Sequence, residues 1–114
     1  MAQREVTREE LRMSQAFGWA AHRAGGDYLW TQALPDGRAV FLMPLFGGNL
    51  RLGIGELGSP CLDDVWCYQA PQTDLAWRAA LGWDGDGEPE GWYRHPDTGR
   101  RRPGGEASKE VVYA

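Results

Sequence analysis

A chain of 114 residues accommodates one domain with a modest core. At 42% hydrophobic and 25% charged residues its composition is that of an ordinary globular protein, and no apolar run approaches the ~20 residues of a membrane span. Its 16 acidic against 12 basic side chains, a formal charge of −4, argue against a general nucleic-acid binder, whose affinity comes from neutralising phosphates. The residues from Met1 to Arg12 alternate in charge and contain no apolar stretch, which leads us to expect no secretory signal and a cytoplasmic protein. The basic side chains are arginines apart from Lys109, and with 16 Gly and the single Ile54 this is the residue usage of a GC-rich genome. Six tryptophans exceed what a small domain buries easily.

Residues 7 to 24 carry a helix signature. Thr7 and Glu10 form a T-x-x-E capping box, and Glu9 and Glu10 suit the positive end of the helix dipole. Met13, Phe17, Ala20, Ala21 and Ala24 recur at helical spacing and predict one apolar stripe. Leu11, Gln15, Gly18, Trp19 and His22 form a second, mixed face, open to another layer or to a partner. Gly25 and Gly26 supply the stop.

From Asp27 the period changes to two. Asp27 to Leu34 predicts a strand with Tyr28, Trp30, Gln32 and Leu34 on one face, followed by a Pro35-Asp36-Gly37 turn. Arg38 to Phe46 returns with apolar residues on both faces, the mark of a central strand, and Pro44 limits pairing near its end. After Gly47-Gly48-Asn49, Leu50, Leu52 and Ile54 alternate with Arg51, Gly53 and Gly55, which predicts a strand with one solvated side. Residues 58 to 63 read as a loop and Val65 to Tyr68 as a fourth short strand. Pro71 to Trp83 returns to the helical period, with Thr73 or Asp74 as its cap and Leu75, Ala76, Ala79, Ala80 and Trp83 on one broad face. The predicted fold is α+β: residues 1–83 form two helices packed on a four-stranded antiparallel meander sheet, and residues 84–114 form an extended Gly/Pro/Arg-rich C-terminal arm.

Signatures of chemistry are thin. His22, His95, Cys61 and Cys67 lack the close spacing of a zinc site. Asp84-Gly85-Asp86-Gly87-Glu88 opens like a calcium loop but has Pro89 where glycine belongs and His95 where glutamate belongs. Cys67 with His22 or His95 and Asp63 or Asp64 has no supporting local motif, and Ser59 and Ser108 sit in no nucleophile elbow. Gly53, Gly55 and Gly58 spell G-x-G-x-x-G without a lysine or a following helix to hold a phosphate. Cys61 and Cys67 read as buried or partly buried thiols in a reducing compartment. No catalytic residue, metal or cofactor is therefore assigned.

The distinctive segment is the arm. Trp92, Tyr93 and Arg94, then Arg100, Arg101 and Arg102 after a Pro96-Asp97 turn, combine aromatics that fill pockets with guanidinium forks that pair with carboxylates or phosphates. Trp19 and His22 on the mixed helix face form a second contact candidate. A third reading makes Asp63, Asp64 and the acids of residues 84–90 a phosphate-mimic surface. The string from Trp92 to Pro103, with the turn and strand from Gly47 to Gly55, resembles small uncharacterised proteins encoded by phages and prophages of GC-rich bacteria. That resemblance implies a small cytoplasmic accessory protein acting on a host or phage macromolecule, and it transfers no site residue. The function expected is a non-enzymatic protein that binds a host or phage protein, alone or as a homodimer, as an inhibitor of a defence or nucleic-acid-processing complex would. Nucleic-acid binding through the arm is the alternative, and no membrane contact is expected.

Overall fold

Helix α1 (Arg8–Arg23) begins where its cap dictates. Thr7 is extended, and its Oγ1 accepts the Glu10 N–H at 3.1 Å. The Glu10 carboxylate takes both Arg4 Nη atoms, at 3.1 and 2.7 Å. The helix ends at Ala24, and Gly25 takes the left-handed conformation, φ 110°, that a side chain would oppose. The molecule is described here from a computed structural model covering residues 3–58 and 62–91.

Strands β1 (Trp30–Ala33), β2 (Arg38–Pro44), β3 (Leu50–Glu56) and β4 (Asp64–Tyr68) form one antiparallel sheet among the described residues, in the order β1-β2-β3-β4. The meander is the one the sequence predicts. Register aligns Trp30 with Leu42, Leu42 with Leu52, and Leu52 with Trp66, so each strand contributes a large apolar residue to one face. Helix α2 (Thr73–Gly82) lies on that face and contributes Ala76, Trp77, Ala79, Ala80 and Leu81. Helix α1 packs against α2 and the entry to β1, with Leu11 in the same core. Trp66, Trp77 and Trp83 are buried, and Trp66 meets Trp83 edge-on with ring centroids 5.0 Å apart.

Several local expectations change. The first strand begins at Trp30, not Asp27, and the bend before it carries Tyr28 to the opposite face, where its ring lies 4.9 Å from that of Phe41. The non-helical face of β3 is not solvated: Gly53 and Gly55 are buried, and Leu62 folds over Gly53 so closely that a Cβ there would come 2.6 Å from Leu62 Cδ1. A strand reads as half-solvated when its outward positions are glycine, but the vacancy lets a loop side chain drop in. Neither Thr73 nor Asp74 caps α2; the chain enters through a 3-10 turn, Ala70–Gln72, with Gln72 at the N-cap. Trp77, outside the face predicted for α2, is its most deeply placed large residue.

Residues 84–91, the start of the predicted arm, lie against this body. Pro89 is fully buried, the Tyr68 hydroxyl donates to the Glu90 carbonyl at 2.8 Å, and Trp83 Nε1 donates to the Asp86 carbonyl at 3.0 Å. Burial and the neighbouring Glu90 push the Tyr68 phenol well above its usual pKa, so it stays a neutral donor. The remainder of the arm is outside the described residues.

Arg4 sets a pH dependence. Its hydrogen bonds, first among the causes, hold the Glu10 carboxyl below the ordinary glutamate value. A carboxylate lowered in the folded state stabilises above its unfolded pKa and loses that contribution as pH falls through the folded one. The Glu10→Gln variant is therefore expected to be less stable than the parent at neutral pH, by a small amount because the pair is exposed and screened. The gap should close in acid. Denaturation at both pH values checks this, and a gap of unchanged size in acid would remove the pair from the account.

Candidate protein-contact surface

The orientation of α1 follows from small residues on one side of it. Leu11, Ser14 and Gly18 recur at helical spacing, and they are the buried ones. A Cβ at Gly18 would overlap the Leu29 carbonyl oxygen and come within 2.6 Å of Cη2 of Trp77. The helix can therefore approach α2 and β1 only along this line. Beside it, Gln15 Nε2 donates to Asp74 Oδ1 at 3.0 Å and ties α1 to the first turn of α2.

The predicted apolar stripe consequently points outward. Met13 is 66% exposed and Phe17 71% exposed, and Ala20, Ala21 and Ala24 are exposed as well. The mixed face, with Leu11, Gln15, Gly18 and His22, is the one that packs. The mixed face thus meets another layer of the fold, apart from Trp19, which stays exposed at its edge. Hydrophobicity alone favours Met13 and Phe17 as the buried side, but close helix approach needs small residues, and these lie opposite. Ser14 and Gly18, four apart beside Leu11, are the sequence signal that identifies the buried face.

The outward face is continuous. Met13 and Phe17 are helical neighbours, and Phe17 meets the half-buried Trp30 ring edge-on at 6.3 Å. Ala16 and Ala20 lie between Phe17 and the charged flank. A shallow open depression bordered by Arg8, Glu9, Arg12, Met13 and Ala16 runs along the helix. Large apolar side chains left in water on one helix face are the usual mark of a protein-contact surface.

The other predicted contact residues divide. Trp19 and His22 are brought together on α1, with rings 5.9 Å apart, and Trp19 is 36% exposed on the flank of this face. His22 has a structural partner: its Nδ1 lies 2.9 Å from the Gly26 carbonyl and helps close the C-terminal end of the helix. Trp92, Tyr93, Arg94, Arg100, Arg101 and Arg102 lie outside the described residues.

Elsewhere several polar groups are engaged with one another. In a polar cleft of about 340 Å³, Arg4 is bonded to Glu10, and Arg78 Nη1 donates to the Val6 carbonyl at 2.6 Å. Arg38 pairs with Asp36 at 2.7 Å, and Asp63 and Asp86 add to the field that raises its pKa. The acidic surface considered above thus has a cation within it. Cys67 is buried on β4, opposite Arg51. Cys61 lies outside the described residues. Among the described residues no group of three His, Cys, Asp or Glu is placed to hold a metal ion, and no helix is long and apolar enough to cross a membrane. Comparison with protein-family models, curated proteins and solved structures finds no match.

Proposed function

We propose that this chain is a small non-enzymatic accessory protein that acts by binding a partner protein, with the outward face of α1 as a contact surface. The observation that carries the reading is the exposure of Met13 and Phe17, neighbours on a helix whose other side is anchored at Gly18. Burying a large apolar side chain contributes ~1.5–3 kcal/mol, so two on one rigid helix can serve as anchors for association. The arm with Trp92, Tyr93, Arg94 and Arg100 to Arg102 supplies a second set of contacts of complementary chemistry. In the setting the sequence resembles, such a protein occupies the surface of a host or phage protein and blocks its work.

Affinity capture of the tagged chain from host lysate, with and without nuclease, tests this. The expected result is a near-stoichiometric protein partner that survives nuclease and is lost with Phe17→Glu. The ring is exposed, so this change should leave the melting temperature nearly unchanged. Capture by Phe17→Glu equal to that of the parent would remove α1 from the interface. A catch that vanishes with nuclease would put nucleic-acid binding through the arm in its place, and its affinity should then fall steeply with salt.

A further inference from the structure

We infer that the outward face of α1 takes an amphipathic helix of the partner protein, apolar along one edge and acidic along the other. The inference rests on the reading of α1 as a contact surface and names the chemistry of its occupant. The face has two unlike walls. At about 100° per residue, Met13 and Phe17 stand on one side of Ala16 and Ala20, and Arg8, Arg12 and Arg23 stand on the other. All of them are exposed. Ala16 and Ala20, whose side chains end at Cβ, leave a trough between the walls. Towards its N-terminal end lies an open depression of about 640 Å³, with Arg8 and Arg12 on one side, Met13 on the other, and Ala16 between them.

The charges of the helix do not cancel on this face. Glu10 lies on the far side of Met13 and is already taken by Arg4. His22 is turned to the Gly26 carbonyl. Glu9, at the N-terminal end of the trough, is the one acid set against Arg8, Arg12 and Arg23, and it leaves place for a single basic residue of the ligand. Asp27, the next acid in the chain, lies past the Gly25-Gly26 stop. The face is therefore positive on a chain whose formal charge is −4. Charge of opposite sign selects and steers a ligand, and apolar anchors hold it.

Spacing sets the form of the ligand. Arg12 and Arg23 lie about 16 Å apart along the axis, and Met13 and Phe17 about one turn apart. A helix laid along the trough meets the first pair with acids about three turns apart and the second with two large apolar residues on its other edge. Nucleic acid offers phosphates to the arginines but no apolar edge to Met13 and Phe17. A helix that lies in a membrane interface carries its apolar residues as one central face, whereas the middle of this face is alanine and Glu9.

Selection of yeast-displayed random peptides of about 18 residues on the full chain tests this, followed by fluorescence anisotropy of the enriched sequences. The expected result is peptides that combine acids with Leu, Ile or Phe at helical spacing and bind with a dissociation constant of about 1–100 μM. Phe17→Glu should abolish their binding, and Arg8→Glu with Arg12→Glu should weaken it about tenfold. Lysine in place of the peptide's acid should recover binding to Arg12→Glu to within about threefold of the parent pair. The substituted side chains are exposed, so circular dichroism should show the parent fold for each variant. Enrichment of nothing, or of peptides without acids, overturns the inference. Phosphatidylglycerol vesicles or single-stranded DNA that bind where no peptide does, and are lost with the arginine exchange, overturn it in favour of an anionic lipid or nucleic acid. If the peptides are lost with Phe17→Glu but indifferent to the arginine exchange, the acidic helix has failed while the contact surface stands. The same holds if nothing is enriched but Phe17→Glu still abolishes capture from lysate. If neither substitution weakens any peptide and capture is unaffected, both have failed.

Discussion

Trp77→Ala should destabilise the domain by about 3–5 kcal/mol, the range for removing a buried large aromatic side chain. Trp77 is 1% exposed and touches three elements: its ring approaches Gly18 of α1, lies 6.3 Å from Trp30 of β1, and rises from α2 over the sheet. Folded domains are stable by only ~0.05–0.15 kcal/mol per residue, so this loss takes a large part of the whole for a chain of 114 residues. The buried neighbours of Trp77 on α2, Ala76, Ala79 and Ala80, have no length to extend into the cavity. Urea denaturation followed by far-ultraviolet dichroism checks the figure. A loss below about 1 kcal/mol would mean that the two helices are not joined through this ring.

The second large effect has an unusual sign. Glycine inside a helix normally costs ~1 kcal/mol against alanine, so Gly18→Ala would stabilise an α1 that had room on this side. Here the added methyl would overlap the Leu29 carbonyl oxygen and press on the Trp77 ring. Carbonyl backbone cannot swing away as a side chain can, so α1 must lift. Overpacking of this kind costs ~1–3 kcal/mol, which outweighs the helical gain and makes the change net destabilising. Hydrogen exchange should localise the damage, with α1 amides exchanging faster relative to those of β2 and β3. A more stable Gly18→Ala variant would show that α1 does not seat through Gly18. The outward facing of Met13 and Phe17 would then lose its anchor.

These two positions also show how far residue patterns reach. The order of elements, the meander and its turns are local in origin. Gly25 and Gly37 adopt the positive φ that their turns require, at 110° and 92°, and Thr7 caps as its spacing implies. A central strand with two apolar faces, Val40 and Leu42 against Phe41 and Met43, announces burial from both sides, and β2 sits inside the sheet. Trp77 eluded the pattern because α2 is short and lies across a sheet on one side and α1 on the other, so its buried arc is wider than one helical stripe. Trp19 and His22 were legible as neighbours on a helix face. The cap His22 makes with the Gly26 carbonyl was not, because it depends on how the chain leaves the helix.

Element type and sequence, turn positions and the alternation of each strand follow from the chain alone, since they arise from backbone preferences and periodicities acting over a few residues. The facing of α1 did not, because it was decided by a contest between distant groups. Met13 and Phe17 have the greater appetite for burial, but only the side carrying Ser14 and Gly18 allows the helix to reach Leu29 and Trp77. Burial of Gly53 beneath Leu62 has the same character: a missing side chain on one strand acquires meaning only when a loop residue returns to fill it. Packing density inside a fold is set by which shapes can approach, and the approaching shapes come from parts of the chain that no local window contains.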